Sequence, residues 1–456
     1  MSVRALFFAS AFLGLSPASS QAEAYDEASD PSSIVVTARR DRKVADVSGT
    51  QIFAGKLADV TLVTDLPPIT NRNLRVALTE IPGLLVSEVS NGSWASLSYR
   101  GLGQPHESWN LLTMQDAIPA VPDMYSYPAA YFIPPLDLVE RIEFVRGASG
   151  LLYGPTPGGA LNYVMQGPRR AEGFDVTGRA SYGTFGTASV SMSASLSDRQ
   201  KGADAFVSYT TTDGPRRANS DGTQWTGRLR GYLTSDRVTA ILALDGYQGD
   251  FGEPGGLSFA RLQGDRRDVS TAIDRVRIRR FVPSLSLEWQ PDGVTQVTAR
   301  AWYSWFDRLS SRQAGGSFGQ ITPTANILIR QNQQFQTAAL DLRVRRDFGV
   351  HTLTLGVLGH TSNAPVFVDK GVSPTDREGL AGPLARVSRT GDALAVFGEA
   401  RLVFGRVQIV PGFRLERRRQ RVVETFDLAT GSSTGGPPGT ANGALGARSN
   451  VDTIAL

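Results

Sequence analysis

The chain contains no cysteine, so disulfides and thiolate metal sites are excluded, and its three histidines (His106, His351, His360) are too scattered for a multi-histidine centre. No apolar run approaches the roughly 18 residues that a membrane-crossing helix needs. Neither sign of charge dominates: 47 basic and 43 acidic residues leave a net charge of +4, spread along the chain, which makes no nucleic-acid patch. No H-E-x-x-H or paired-histidine pattern appears, and neither an enzyme nor a cofactor is expected. What remains is 456 residues, 41% of them hydrophobic, with a mean hydropathy of −0.16. That is ample for a core and too long for one ordinary domain. It fits a soluble protein or a β-barrel, whose strands alternate and never look apolar overall.

Export is written at the N-terminus. Arg4 gives a thin positive region, Ala5 to Leu15 an apolar run of secretory length, and Pro17 a break. Small residues for cleavage follow at Ser20-Gln21-Ala22 or Ala22-Glu23-Ala24, so residues 1–22 read as a signal peptide. The acidic, serine-containing segment Glu23 to Ser33 has too little to bury and is expected to be mobile. Within the tail, Ile34, Val35, Val36, Thr37 and Ala38 form a β-branched run. Such a run can add as an edge strand to a partner's sheet, or can open the following domain.

Leu136 to Met165 is the organising stretch. It reads as a strand, a knot of glycines (Gly147, Gly150, Gly154, Gly158, Gly159) with Pro155 and Pro157, and a second strand. The knot leaves no room for a helix longer than one turn. It lacks the Lys-Ser/Thr of a phosphate loop and the G-x-G-x-x-G of a dinucleotide site. Upstream, Leu74, Ala77, Leu78 and Ile81 mark one helix face, with Thr70 or Asn71 as cap and Pro82-Gly83 as stop. Strands are expected at Leu84–Val86, Leu97–Gly101 and Leu112–Pro119. Two loops between them carry aromatics: 90–94 with Trp94, and 121–131 with Tyr125, Tyr127 and Tyr131. Those aromatics suit a ligand platform, or equally packing against a surrounding wall.

From Phe174 the pattern changes to long alternating strands, with an apolar set such as Val190, Met192 and Leu196 on one side and polar residues on the other. Eleven are expected: 174–182, 187–197, 203–212, 222–233, 237–248, 275–289, 295–306, 333–345, 350–359, 391–403 and 406–418. Short turns (198–202, 234–236, 290–294, 346–349, 404–405) alternate with long connections (213–221, 249–274, 307–332, 360–390 and from 419). One short end and one long end is the rhythm of a membrane barrel, whereas a β-sandwich keeps neither end uniformly short. Trp225, Trp289, Trp302, Tyr303 and Trp305 are placed where aromatic girdles belong.

The run VERIEFVRGASGLLYGPTPGGALNYV resembles the end of the plug domain of TonB-dependent outer-membrane receptors, and the motifs of residues 34 to 170 follow that family. The resemblance implies an all-β transmembrane barrel with an N-terminal α+β plug inside the lumen. It divides the chain into signal peptide 1–22, mobile tail 23–56, plug 57–170 and barrel strands 171–456. It makes Ile34 to Ala38 a TonB box, the contact for TonB and its inner-membrane energising complex. The aromatics Trp94, Tyr125, Tyr127 and Tyr131 become a ligand-binding plug apex, and the PDMYSYP stretch is similar to a loop of ferric-citrate-type receptors, with Tyr127 where those have glutamine. Arg100, Glu143 and Arg146 become charge contacts between plug and wall. Ala117 departs from the family glycine, so another turn geometry is expected there.

The function implied is energised uptake of a ferric siderophore or ferric carboxylate by a monomer in the outer membrane of a Gram-negative bacterium. Haem, cobalamin, other chelates and oligosaccharides stay open as cargo. A passive pore or adhesin is the alternative of another class. Arg261, Arg266, Arg267, Arg308 and Arg312, in the expected long loops, suit an anionic chelate. Barrels of this family close with about twenty-two strands. The sequence supplies eleven, a glycine- and serine-rich stretch (Ala429 to Asn450), and the start of a twelfth from Val451. About half a barrel is therefore expected to be missing, and residues 1–456 alone are expected to give no heat-modifiable outer-membrane band.

Overall fold

The computed structural model describes residues 44–455 except 67–73, 80, 89–90, 93, 102–110, 121–129, 147–148, 155, 157, 168–171, 314–327, 374 and 427–447, with the backbone alone from residue 424. The first elements are a small hairpin, β1 (Val47–Ser48) and β2 (Gln51–Ile52), turned at Gly49, and then β3 (Leu57–Leu62). Residues 44–56, expected in the tail, are thus built into the fold. Helix α1 (Leu74–Leu78) buries Leu74, Ala77 and Leu78, and Ile81 continues the same face. Each such side chain contributes about 1.5–3 kcal/mol of apolar burial, less for alanine.

After α1, Gly83 turns the chain at a φ of 81°, and a Cβ there would lie 3.1 Å from the Arg100 side chain. Strands β4 (Leu84–Glu88) and β5 (Ala95–Tyr99) then pair as an antiparallel ribbon. β6 (Leu112–Gln115) and β7 (Ile118–Pro119) form a tight hairpin. β8 (Val139–Arg146), the one-turn helix α2 (Ser149–Tyr153) and β9 (Ala160–Met165) complete the domain. The sheet order is β3-β8-β9-β6-β7, with β6 and β9 parallel and the other neighbours antiparallel. The α1 face packs with Ile142, Phe144, Leu161 and Tyr163 in one buried cluster.

The second layer is one long antiparallel sheet, a barrel wall: β10 (Gly173–Tyr182), β11 (Ala188–Ser197), β12 (Lys201–Thr212), β13 (Gly222–Thr234) and β14 (Val238–Gly252). Helix α3 (Phe259–Gly264) interrupts it, followed by β15 (Arg275–Trp289), β16 (Thr295–Gln313), β17 (Leu328–Phe348) and β18 (His351–Asn363). β19 (Val366–Gly371) bridges β17 and β20 (Leu380–Phe404); β21 (Val407–Ile409), β22 (Gly412–Phe426) and β23 (Arg448–Ala455) follow. Every expected strand is present, but several run further: β16 reaches Gln313, β17 begins at Leu328 and β20 at Leu380. The last expected strand is split into β21 and β22. Apolar alternation stops where lipid stops, whereas strand pairing continues into water with polar side chains.

Outward residues such as Leu196, Leu242, Leu285, Leu340, Leu394 and Phe413 are exposed, the mark of a lipid-facing surface, while the other parity buries polar groups such as Thr210, Gln224, Ser304 and Glu399. Trp225, Trp289 and Tyr303 are on the outer face. Trp302 is a correction: strand parity turns it inward, where it is 7% exposed and packs on Ile118 and Val282.

Candidate functional site

The glycine knot seats β8 against β9. Gly159 has a φ of 96°, and a Cβ there would meet the Val145 carbonyl at 2.7 Å, so this close backbone approach requires glycine. The charges on β8 turn into the plug. Arg146 pairs with Asp59 on β3 and donates to the Pro82 carbonyl (3.1 Å) and the Tyr99 hydroxyl (3.3 Å). Glu143 accepts from Arg141 (2.8 Å) and from the Asn162 amide (3.2 Å). Arg100 is exposed, in a left-handed conformation, with its guanidinium over the Tyr99 ring. The expected wall contacts of Arg100, Glu143 and Arg146 are therefore internal to the plug. The strand that carries two of them lies in the middle of a sheet, where neighbouring strands supply the partners.

The wall supplies the plug contacts instead, through arginines at inward positions. Arg228 donates to Asp116 Oδ2 (2.9 Å), Arg230 to the Gln166 carbonyl (2.7 Å) and Arg280 to Gln115 Oε1 (2.9 Å). Arg343 reaches the Leu152 carbonyl at 3.3 Å. The β6–β7 turn sits under this group. Asp116 and Ala117 have φ of 50° and 61°, so the left-handed two-residue turn is kept even with alanine in place of glycine, contrary to the geometry expected from sequence. Its surroundings hold it: the Met165 amide donates to Asp116 Oδ1 (2.9 Å), and the Ala117 amide donates to Asn162 Oδ1 (2.8 Å).

At the top of the plug, Trp94 and Tyr131 are 7% and 3% exposed. Both join Ala130 and Phe132 in a cluster with Tyr247, Phe251 and Phe306 of the wall. The Tyr131 hydroxyl accepts from Arg308 (3.2 Å) and Arg312 (3.3 Å). As ligand-platform residues these two are corrected: they are plug-to-wall packing, because a large ring beside an apolar wall gains more by burial than by facing water. Tyr125 and Tyr127 lie outside the described residues. The Asn91 amide is tied to the Gly252 carbonyl at 2.8 Å, which anchors the first aromatic loop to β14.

Of the arginines expected in loops, Arg308 and Arg312 stand on β16, and all but Arg266 are engaged. Arg312 grips Glu253 through two bonds (2.8 and 2.7 Å), and Arg261 binds Asp268 (2.6 Å). Arg267 donates to the Pro215 carbonyl (3.2 Å), while Arg266 is exposed. Burial alone would raise the Glu253 carboxyl, but the neighbouring Arg312 guanidinium outweighs it and holds the group below the ordinary carboxylate value. Asp274 beside it is pushed up to about 6 by burial, against the Gln313 amide that donates to it at 2.8 Å.

At the opposite end, near the short turns, residues 46–56 clasp the rim. Gln408 donates to Asp46 (3.2 Å), Arg345 to the Gly49 carbonyl (2.5 Å), and Thr50 bonds Thr298 (2.5 Å). Lys56 pairs with Glu399 of β20 and donates to the Ile52 carbonyl at 2.6 Å. Burial lowers the Lys56 ammonium below its ordinary value, although Glu399 works against that shift. Ile34, Val35, Val36, Thr37 and Ala38 lie outside the described residues. The clasp escaped the sequence reading. Only Lys56, set among apolar neighbours and opposite an inward Glu399, offered a signal.

Residues 63–160 match the family model described as "TonB-dependent Receptor Plug Domain". The whole arrangement is similar to solved receptors. The ferric citrate transporter FecA, in unliganded form, superposes with a TM-score of 0.67 at 18% identity, over 88% of this chain and 59% of that one. The ferric yersiniabactin uptake receptor FyuA from Yersinia pestis gives 0.67 at 14% identity, covering 88% and 61%. The copper transporter OprC gives 0.61 at 16%, covering 82% and 61%. The chain thus spans about 60% of the length of these proteins. These identities carry the fold alone. Residues 63–160 of this chain are thus a TonB-dependent receptor plug domain, set in a fold similar to that of these solved receptors.

Proposed function

We propose that the chain serves as an outer-membrane receptor for TonB-energised uptake of a ferric siderophore or ferric carboxylate chelate in a Gram-negative bacterium. The observation that supports this reading best is the plug seated among inward arginines and clasped at the rim of short turns. A passive pore or adhesin has no use for such a plug. Residues 57–170 act as the plug and 171–456 as wall. Ligand capture falls to the external loops, and Ile34 to Ala38 pair with TonB by strand addition. Energy comes from that partner. FecA and FyuA, whose names record ferric citrate and ferric yersiniabactin, support an iron chelate as cargo; OprC, a copper transporter, supports the second reading of another metal chelate.

The test is uptake of radio-iron loaded on citrate and on a panel of siderophores, in cells whose own receptors are deleted. Val36→Pro removes a backbone donor and fixes φ. It is expected to abolish uptake while surface binding persists, and Val36→Ala to retain most uptake. Equal transport by the proline variant overturns the coupling role.

A further inference from the structure

On the outer face of β15, the exposed apolar residues Trp289, Leu287, Leu285 and Phe281 climb from the short-turn end. Phe281 stands opposite Trp305 of β16. Each residue of a strand tilted by about 40° rises roughly 2.6 Å along the membrane normal. Phe281 therefore lies about 21 Å above Trp289, near the top of an apolar band about 25 Å tall. The next outward positions are Arg279 and Arg277, at about 26 and 31 Å on the same rise, the height of the outer headgroups. In register beside Arg279 are Gln248 and Asp307, and beside Arg277 are Asp250 and Leu309.

Asp250 is already taken, since Arg275 binds it and Asp221 as well. Among the described residues, Arg277 and Arg279 make neither a hydrogen bond nor an ion pair, and the Nε of each is shut away from solvent with no acceptor. Two guanidiniums thus stand above an aromatic row, with Asp307 and the already engaged Asp250 beside them. A half-buried guanidinium without an acceptor is costly, and a planar donor fork fits a phosphate better than any neutral group. We propose that Arg277 and Arg279 form an outward docking site for the phosphate of an anionic lipid headgroup in the outer leaflet. The proposal rests on the reading of the sheet as a membrane wall.

The test titrates the full chain, purified in neutral detergent, with short-chain phosphatidic acid, short-chain phosphatidylcholine and inorganic phosphate. Phosphatidic acid is expected to bind at least tenfold more tightly than phosphatidylcholine, and inorganic phosphate alone not to compete. The double variant R277Q/R279Q is expected to lose the preference, and R277K/R279K to recover part of it. Unchanged preference in the glutamine variant overturns the proposal. So does full competition by inorganic phosphate, which would make this a free-anion site. Should the double variant fail to fold, R277Q and R279Q singly must each weaken binding, or the proposal falls. Fractionation separates the two readings: a protein found in outer membranes that ignores phosphatidic acid defeats this proposal alone, whereas one that never enters membranes defeats the wall itself.

Discussion

Replacing Lys56 by methionine keeps the length of the side chain and removes its charge. The side chains of Lys56 and Glu399 are 1% and 7% exposed, so the substitution leaves a carboxylate buried against the plug without its Lys56 counterion. Breaking a buried pair from one side costs about 3–5 kcal/mol, and the lost bond to the Ile52 carbonyl adds to it. Replacing both partners, Lys56→Met with Glu399→Gln, removes the stranded charge and is expected to recover most of that, to within about 1 kcal/mol of the native protein. The plug core around Leu78, Phe144 and Tyr163 does not touch the pair, so the loss is local. Amide hydrogen exchange reads local opening directly. A cost of about 3 kcal/mol corresponds to roughly a hundredfold loss of protection at Val47 to Leu62. The amides of β8 and β9 are expected to change far less. Native protection in the single variant would refute the reasoning, as would a double variant as labile as the single one.

Two more substitutions probe other joints. Asp274 has a folded pKa of about 6, above its value of 3.8 in an unfolded chain, so the folded state binds the extra proton between those limits. Its contribution to stability is full below about pH 4 and is lost as pH rises through about 6; Asp274→Asn is expected to flatten that dependence in protease-nicking rates of the 253–274 connection, and an unchanged slope would count against it. Gly159→Ala places a Cβ 2.7 Å from the Val145 carbonyl at a φ of 96°. It is expected to destabilise the plug by roughly 2–4 kcal/mol, seen as plug proteolysis while the wall stays resistant; a plug as resistant as the native one would show that β8 and β9 can part to admit the methyl.

The parts of this fold that repeat were open to reading from sequence. Alternation over Val190, Met192 and Leu196 marks a lipid-facing strand because lipid imposes the period, and the α1 face at Leu74, Ala77, Leu78 and Ile81 is fixed by its core. Strand ends were less open, since β16 beyond Phe306 and β17 before Gln333 pair in water with no apolar period to betray them. Partners were least open. Whether Arg146 meets Asp59 or a wall residue depends on sheet order, β3 beside β8, which no local pattern encodes. The aromatics Trp94 and Tyr131 likewise read the same whether they face a ligand or a wall. The inward arginines Arg228, Arg280 and Arg343 could have been found by carrying strand parity through their charges, because an arginine pointed at a filled lumen must have an acceptor there.

The order of the plug sheet sets how the domain yields to tension. β3, the strand nearest the N-terminus, is an edge strand with β8 as its one neighbour, while β9, from which the chain leaves for the wall, is central. A pull on the N-terminal side therefore loads the rim clasp first and then peels a single edge. The β8-β9-β6 centre stays stitched, and with it the cluster that holds Leu161 and Tyr163. The same force entering from the β9 side would have to split the sheet through its middle. By its strand order the plug is thus mechanically directional, soft toward its N-terminus and stiff toward the barrel.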